Sequence, residues 1–315
     1  MRTFLLALLL SGCAPSSDSG ESPQTSANDI PEVVSLLGTA LYPPQPDSST
    51  AARQLEQLAE AQANFDAAPE DVDSYVWLGR RTAYMWQYHA AIQIYSDGLD
   101  KHPDSPHLLR HRGHRYMSVR DFDNAIADFA RAAELTNGLP DEVEPDGQPN
   151  AAGIPTSTLQ TNIWYHLALA HFYKGDFVQA AAAMQTCLDL AANNDMKIAA
   201  ADWLYMALRR SDADGADASA RMAIDFVTPD LPILENHSYH RRILMYKGLV
   251  SPDSLLGAGE ALDMATQGYG VGNYYLLEGD SSRAQETFRA VLETGYWAAF
   301  GYIAAEADLA RMAEH

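Results

Sequence analysis

A period of 34 residues restricts the fold of this chain more than any other feature of the sequence. Small and aromatic residues recur at that spacing in two consecutive segments: Gly79, Tyr88, Ala91 and Tyr95, then Gly113, Phe122, Ala125 and Phe129. A third segment begins near Thr161 and fills the same positions with Trp164, Leu167, Ala168, Gly175, Phe177, Ala180 and Met184. Repeats of this length indicate structural units that bury their apolar faces only by stacking on their neighbours.

The residue types at these positions resemble the tetratricopeptide repeat (TPR), in which small residues lie where two helices cross closely. No stretch shows the sustained alternation that predicts a strand. The sequence therefore predicts an all-α protein. We expect an α-solenoid of TPR helix-turn-helix repeats, followed by degenerate C-terminal repeats and a capping helix.

Composition divides the chain into five parts. A Pro- and Gly-rich acidic stretch interrupts the repeats and predicts a surface loop. The predicted parts are a signal peptide (1–12), a disordered tether (13–46), an opening helix with TPR repeats 1 and 2 (47–137), an acidic loop insertion (138–160), and TPR repeat 3 with degenerate repeats and a C-terminal cap (161–315). Within the mostly disordered tether, the segment around Val33 to Leu41 is a candidate for a brief helix or a docking strip.

The N-terminus has the layout of a secretory signal. Arg2 precedes a short apolar run, and the run ends in Leu10-Ser11-Gly12-Cys13, which resembles a bacterial lipobox. This predicts lipidation of Cys13, and acyl chains such as palmitate would hold the protein at a membrane without spanning it. The predicted location is the cell envelope, at the periplasmic side of the outer membrane. The alternative is an ordinary secretory signal with a chance cysteine.

The stretch "PHLLRHRGHRY" concentrates cationic groups in a chain whose formal charge is −21. In the helix predicted there, the three histidines lie within roughly 60° of one another, opposite the positions that pack in a TPR. We therefore expect them to line a concave groove rather than the core. The predicted partner-binding groove comprises Trp77, Arg80, Tyr84, His107, Arg110, His111, His114, Tyr165 and His166.

A second cationic and aromatic cluster lies further along the chain, at Tyr239, His240, Arg241 and Arg242. It either extends the groove or covers a degenerate repeat. Cys187 falls at a repeat core position and is expected to pack as a small hydrophobic residue.

Arginine and aromatic side chains are frequent anchors of protein interfaces, which favours a binding groove. The simpler alternative is that these side chains only solvate a helix face or balance acidic neighbours in the next repeat. A metal site at His107 and His111 is a weaker alternative, because paired histidines arise easily by chance. Catalytic motifs are absent from the sequence, so neither an enzyme, a cofactor nor a metal is predicted. The acidic balance also disfavours nucleic acid.

The order of lipobox, tether and repeats resembles the TPR lipoproteins of the NlpI type from bacterial outer membranes. "DWLYMALRR", "MYKGLVSPDSLL" and "GNYYLLEGDSSRAQETFRAVL" extend the resemblance. It implies a non-enzymatic adaptor or scaffold, often a homodimer, that binds periplasmic proteases or cell-wall enzymes. Two alternatives stay open: a subunit of an outer-membrane assembly complex, and a lipoprotein that binds a small ligand or glycan.

Overall fold

The structure is a computed structural model that describes residues 30–211, 213–257 and 261–314. The predicted signal peptide (1–12), the lipidation site Cys13 and the tether as far as residue 29 lie outside the described residues.

Helices follow one another along the chain, and most consecutive helices pack against each other. They are α1 (Ser48–Ala67), α2 (Val72–Tyr84), α3 (Tyr88–Lys101), α4 (Pro106–Ser118), α5 (Phe122–Thr136), α6 (Leu159–Lys174), α7 (Phe177–Leu190), α8 (Asn194–Arg209), α9 (Ala216–Ala223), α10 (His237–Tyr246), α11 (Asp253–Leu256), α12 (Ala261–Leu277), α13 (Ser281–Glu293) and α14 (Phe300–Ala313). Helix α14 packs on α12 and α13 and also on α6, so the last helix lies against the third repeat.

Local sequence explains where the repeat helices begin. Asp71 and Asp121 accept backbone N–H bonds at the starts of α2 and α5. Ser105 does the same for α4, and Pro106 follows it at the first turn. Helix α6 begins with a capping box between Thr158 and Thr161. Such caps satisfy backbone donors that the first turn of a helix leaves free.

The glycines of the 34-residue pattern lie where the two helices of a repeat cross. A Cβ atom at Gly79 would fall 2.3 Å from Cε1 of Tyr95, and one at Gly113 would fall 3.0 Å from the Phe129 ring. At Gly272 it would fall 2.5 Å from the Phe288 ring. The predicted small positions are thus confirmed as points where a helix backbone touches an aromatic ring.

A two-stranded hairpin precedes the first helix and corrects part of the tether prediction. Strands β1 (Val33–Val34) and β2 (Ala40–Leu41) pair antiparallel, with Val33 opposite Leu41. Both of these side chains are buried in the hydrophobic core. The segment is therefore packed rather than disordered, because its two apolar side chains point to the same face of a short sheet.

Two further points concern the burial of Cys187 and the length of the apolar helices. Cys187 on α7 is fully buried, and burial raises the pKa of its thiol to about 12, so it packs as predicted. Within the described parts of the chain, the helices are either too short or too polar to span a bilayer.

Candidate functional site

The first helices of the three repeats, α2, α4 and α6, lie side by side and form the inner surface on which the groove is predicted. Trp77, Arg80 and Tyr84 on α2 are half-buried. The guanidinium of Arg80 lies 4.6 Å from the centroid of the Trp77 ring, a cation–π distance. The structure therefore places the α2 members of the predicted groove together.

The acidic loop insertion covers this inner surface. Glu144 in the loop is buried, and its carboxylate lies 3.0 Å from Nε of Arg110 and 3.4 Å from Nε2 of His111. Asn162 on α6 donates to the same carboxylate at 3.0 Å. At the loop entrance, His107 lies 2.8 Å from Glu142. The expectation of an open groove is thus corrected: a segment of the same chain fills it.

The loop is held to the inner surface through its backbone carbonyls as well as through its carboxylates. Arg80 donates to the carbonyl of Pro145 at 2.8 Å, and Arg81 donates to that of Gly147 at 3.1 Å. A Cβ atom at Gly147 would lie 1.9 Å from Oη of Tyr84, so only glycine fits here without movement. The loop and α2 are in van der Waals contact.

Three of the four histidines of the predicted groove, His111, His114 and His166, are shielded from solvent, which corrects a second expectation. His111 and His166 are buried, and the His114 ring lies 4.4 Å from that of His166. Phe300 of α14 packs on both His114 and His166. Burial, reinforced by neighbouring cations, holds the pKa of all three imidazoles well below the ordinary value, so the rings are neutral.

Tyr165 is also buried, and its hydroxyl lies 3.2 Å from that of Tyr239 on α10. Positions opposite the repeat packing face are therefore not exposed here. The physical reason is that two other segments, the loop and α14, lie on the inner surface and exclude water from it.

A cavity of about 260 Å³ remains between the loop and the inner surface. Its charged lining comprises Arg80, Arg110 and Arg115 facing Glu144 and Asp146. Arg115 lies over the Tyr88 ring, with its guanidinium 5.1 Å from the ring centroid. Burial raises the pKa of Asp146, with Glu235 acting in the same direction. The site keeps an excess of guanidinium groups after its own loop is in place.

The predicted second patch is not a surface cluster. Arg242 is fully buried, and its guanidinium lies 2.8 Å from the equally buried carboxylate of Asp202. His240 is buried and lies 2.8 Å from the carbonyl of Thr228. Arg241 is half-buried and donates to the carbonyl of Ser254. These residues tie α10 to α8, to the segment before α10 and to α11, so their side chains serve packing rather than a common face.

Among the described residues, no group of three or more His, Cys, Asp or Glu side chains is arranged to hold a metal ion. His107 and His111 each face a glutamate instead, Glu142 and Glu144 respectively. Each of these two imidazoles therefore lies beside a carboxylate of the loop rather than beside a second metal-ligating histidine.

The functional residues that sequence reasoning missed are the acidic ones, Glu144 and Asp146. Their signal was present in "DEVEPDG", an acidic run close in sequence to the cationic helix. A cationic helix and an acidic loop near each other in sequence are in contact only when the fold places them on the same surface. The 34-residue period does not specify where the loop lies.

Comparisons with known proteins agree with the repeat architecture. Residues 161–194 match the sequence profile of the tetratricopeptide repeat. A tetratricopeptide repeat protein from Parabacteroides merdae is similar in structure, with 12% identity and a TM-score of 0.49 over 82% of this chain and 94% of the other. YrrB, described as a TPR protein with an unusual peptide-binding site, shows 13% identity and a TM-score of 0.42 over 74% of this chain and 91% of its own.

No curated protein sequence matches the chain. The matched repeat begins at Thr161, where the third copy of the period was predicted to begin, and α6 and α7 form its two helices. The chain is an all-α solenoid of packed helix pairs that contains a tetratricopeptide repeat at residues 161–194.

Proposed function

We propose that the protein is a lipid-anchored TPR adaptor of the bacterial cell envelope. In this proposal it holds an extended segment of a partner protein against the inner surface of α2, α4 and α6, and performs no catalysis. Partners of this kind include periplasmic proteases and cell-wall enzymes. TPR solenoids are commonly scaffolds for protein–protein interaction, since stacked repeats create an extended concave surface.

One observation carries the proposal: the inner surface already holds an extended polypeptide, the loop of its own chain. Arg80 and Arg81 bind backbone carbonyls of the loop, and Arg110 faces a loop carboxylate. A surface that binds main-chain carbonyls can accept a segment from another protein by the same bonds. Guanidinium groups suit this role because they present several fixed donors.

Membrane attachment is the second element of the proposal, and it depends on Cys13 and the lipobox-like residues before it. Its test is fractionation of cells that express the full-length chain or its Cys13→Ser variant. We expect the wild type in the membrane fraction and the variant in the soluble periplasmic fraction. Equal membrane association of both proteins would contradict the lipid anchor.

The partner surface is tested by a crosslinking pull-down from bacterial envelopes. An Arg80→Glu, Arg115→Glu double variant reverses two half-buried cations of the groove. The matched control, Arg53→Glu with Arg289→Glu, makes the same change in charge at exposed positions on α1 and α13. Circular dichroism checks that each protein is folded.

We expect partners that the wild type and the control capture to be lost from the groove variant. A tenfold loss corresponds to about 1.4 kcal/mol of binding free energy. If all three folded proteins capture the same partners, the inner surface is not the binding site.

A further inference from the structure

The loop segment 142–147, called here the internal strap, is bound to the groove as a ligand would be. Its carboxylates face His107 at 2.8 Å and Arg110 at 3.0 Å. Its carbonyls accept from Arg80 and Arg81. Apart from the strap's two ends, these contacts do not depend on the strap belonging to the same chain.

The anchorage of the strap is polar, and little apolar surface holds it. Three large apolar side chains of the insertion are exposed: Leu139 at 58%, Val143 at 62% and Ile154 at 50%. Core side chains elsewhere in the chain are covered almost completely, as Phe129 and Phe172 are. Segments with few buried apolar contacts open at a small fraction of the global unfolding free energy.

The ends of the insertion are fixed independently of the groove. The carboxylate of Asp141 accepts a hydrogen bond from the backbone N–H of Gln160 at 3.0 Å, and the backbone carbonyl of Glu142 accepts one from the N–H of Leu159 at 2.9 Å. At the other end, Asn193 donates to the carbonyl of Thr156 at 2.8 Å. The backbone N–H of Glu144 also donates to the carbonyl of Ser157 at 3.4 Å, so release of the strap breaks this bond while both ends of the insertion stay attached to α6 and α8.

We propose that the internal strap is a built-in competitor, and that the groove's external ligand is an acidic extended segment of a partner protein. The ligand carries a carboxylate at the place of Glu144 and a small residue, with glycine preferred, at the place of Gly147. This inference rests on the proposed adaptor function and adds the chemistry of the partner and its regulation. A partner must displace the strap, so the free protein binds single acidic peptides weakly.

Charge and steric fit both specify this occupant. Arg80, Arg110 and Arg115 line the site, and Glu144 is the buried carboxylate that faces them. A Cβ atom at Gly147 would fall 1.9 Å from Oη of Tyr84, so a glycine at this position of the ligand is accommodated without a shift of the Tyr84 side chain. A tethered segment acts at an effective concentration in the millimolar range, which sets the competition that a partner must overcome.

The test compares the wild-type chain with a variant in which residues 144–154 are replaced by a Gly/Ser linker of equal length. The probe is a fluorescent peptide with the sequence PDEVEPDGQP, residues 140–149. A control peptide, PDQVQPNGQP, replaces three of its carboxylates by amides. Fluorescence anisotropy measures binding, and circular dichroism measures the helical content of each protein.

We expect the linker variant to bind the acidic peptide at least tenfold more tightly than the wild type does. We expect the same variant to bind the amide peptide at least tenfold more weakly than it binds the acidic peptide. Arg80→Ala in the linker background reduces binding of the acidic peptide. A folded linker variant that binds neither peptide, or binds both equally, overturns the inference.

A second variant guards against poor folding of the first, because the linker leaves Arg110 and His111 without their carboxylate. Gly147→Ala removes no charge, and its Cβ atom overlaps the ends of the Tyr84 and Arg80 side chains, which disturbs the fit of the strap against α2. We expect it to bind the acidic peptide more tightly than wild type, whereas Ala151→Ser, an exposed change in the same loop, does not. A folded Gly147→Ala protein with wild-type peptide affinity contradicts the competition.

Two outcomes separate this inference from the adaptor proposal. If envelope partners are captured through the groove and the linker variant captures them no better than wild type, the adaptor stands and the competitor is wrong. The other outcome is that inorganic phosphate binds the wild type at Arg80, Arg110 and Arg115 while the linker variant does not bind the acidic peptide. In that case the cavity is a small-anion site and the acidic-segment inference is overturned.

Discussion

Trp86 and Arg120 occupy equivalent turns in successive repeats, 34 residues apart, and both have a left-handed backbone, with φ of 62° and 68°. The corresponding turns of later repeats carry glycine, Gly175 with φ of 86° and Gly279 with φ of 81°. A non-glycine residue in this conformation costs about 1–2 kcal/mol. Something in the folded chain must therefore offset that cost at both turns.

Both strained residues contact one side chain, Trp297, in the turn before α14. The Trp86 and Trp297 rings lie 4.9 Å apart, and the Arg120 guanidinium lies 5.7 Å from the Trp297 ring centroid. Trp297 also donates from Nε1 to the carbonyl of Tyr42 beside the hairpin. Trp297 thus joins the first two repeats, the hairpin and the C-terminal helix.

Replacement of Trp297 by alanine tests this joining role. We expect Trp297→Ala to lower the free energy of unfolding by about 3–5 kcal/mol, because the side chain is buried and its removal leaves a cavity. Urea denaturation followed by circular dichroism measures the change. Tyr296→Ala, at an adjacent exposed position, is the control and should change stability by about 0.5 kcal/mol or less.

Arg120 also forms a buried ion pair with Glu306, which lies 186 residues further along the chain. The closest N–O distance is 2.7 Å, and the two side chains are 3% and 0% exposed. We expect Glu306→Gln to cost about 3–5 kcal/mol, since it leaves a buried cation without its partner. A double-mutant cycle with Arg120→Met measures the coupling. Strict additivity of the two changes would show that the pair contributes no interaction energy of its own.

The repeat architecture was predictable because it is a local property of the sequence. Gly79 and Gly113 mark helix crossings by size alone, and the third repeat was located to the residue where its profile match begins. The segment around Val33 was a candidate for a brief helix or docking strip, but its hairpin was not predictable, because two strands of two residues each give too short an alternation to recognise. It forms because the C-terminal region supplies a surface for it.

The residues that form the site were predictable from the sequence, but their burial was not. Arg80 and Arg110 were expected on the inner surface, and they lie there. The burial of Arg110 depends on Glu144, which reaches it from an irregular loop, and that of His166 depends on Phe300 of the last helix. Periodicity describes how neighbouring repeats pack, but it carries no information on segments that cross several repeats.

The close helix crossings predict a graded response to added methyl groups. Gly79→Ala places a Cβ atom 2.3 Å from the Tyr95 ring, so we expect a cost of about 1–3 kcal/mol from overpacking. Gly113→Ala meets Phe129 at 3.0 Å, and the gain in helix propensity of about 1 kcal/mol offsets a larger share of its cost. Urea midpoints should fall further for Gly79→Ala. The reverse order would contradict the crossing geometry.

The buried imidazoles make stability dependent on pH. Burial holds the folded-state pKa of His111, His114 and His166 well below the ordinary value of 6.5, and Arg110 and Arg115 oppose protonation further. Below about pH 6.5 the unfolded chain therefore binds more protons than the folded one, so stability falls as pH falls, by up to about 1.4 kcal/mol per pH unit for each histidine. Urea unfolding at several values between pH 7.5 and 5 measures this slope. His114→Phe keeps a ring against His166 and Phe300. It should reduce the number of protons taken up on unfolding by about one, and so reduce the slope by up to about 1.4 kcal/mol per pH unit. An unchanged slope in that folded variant would mean that His114 is protonated in the native protein.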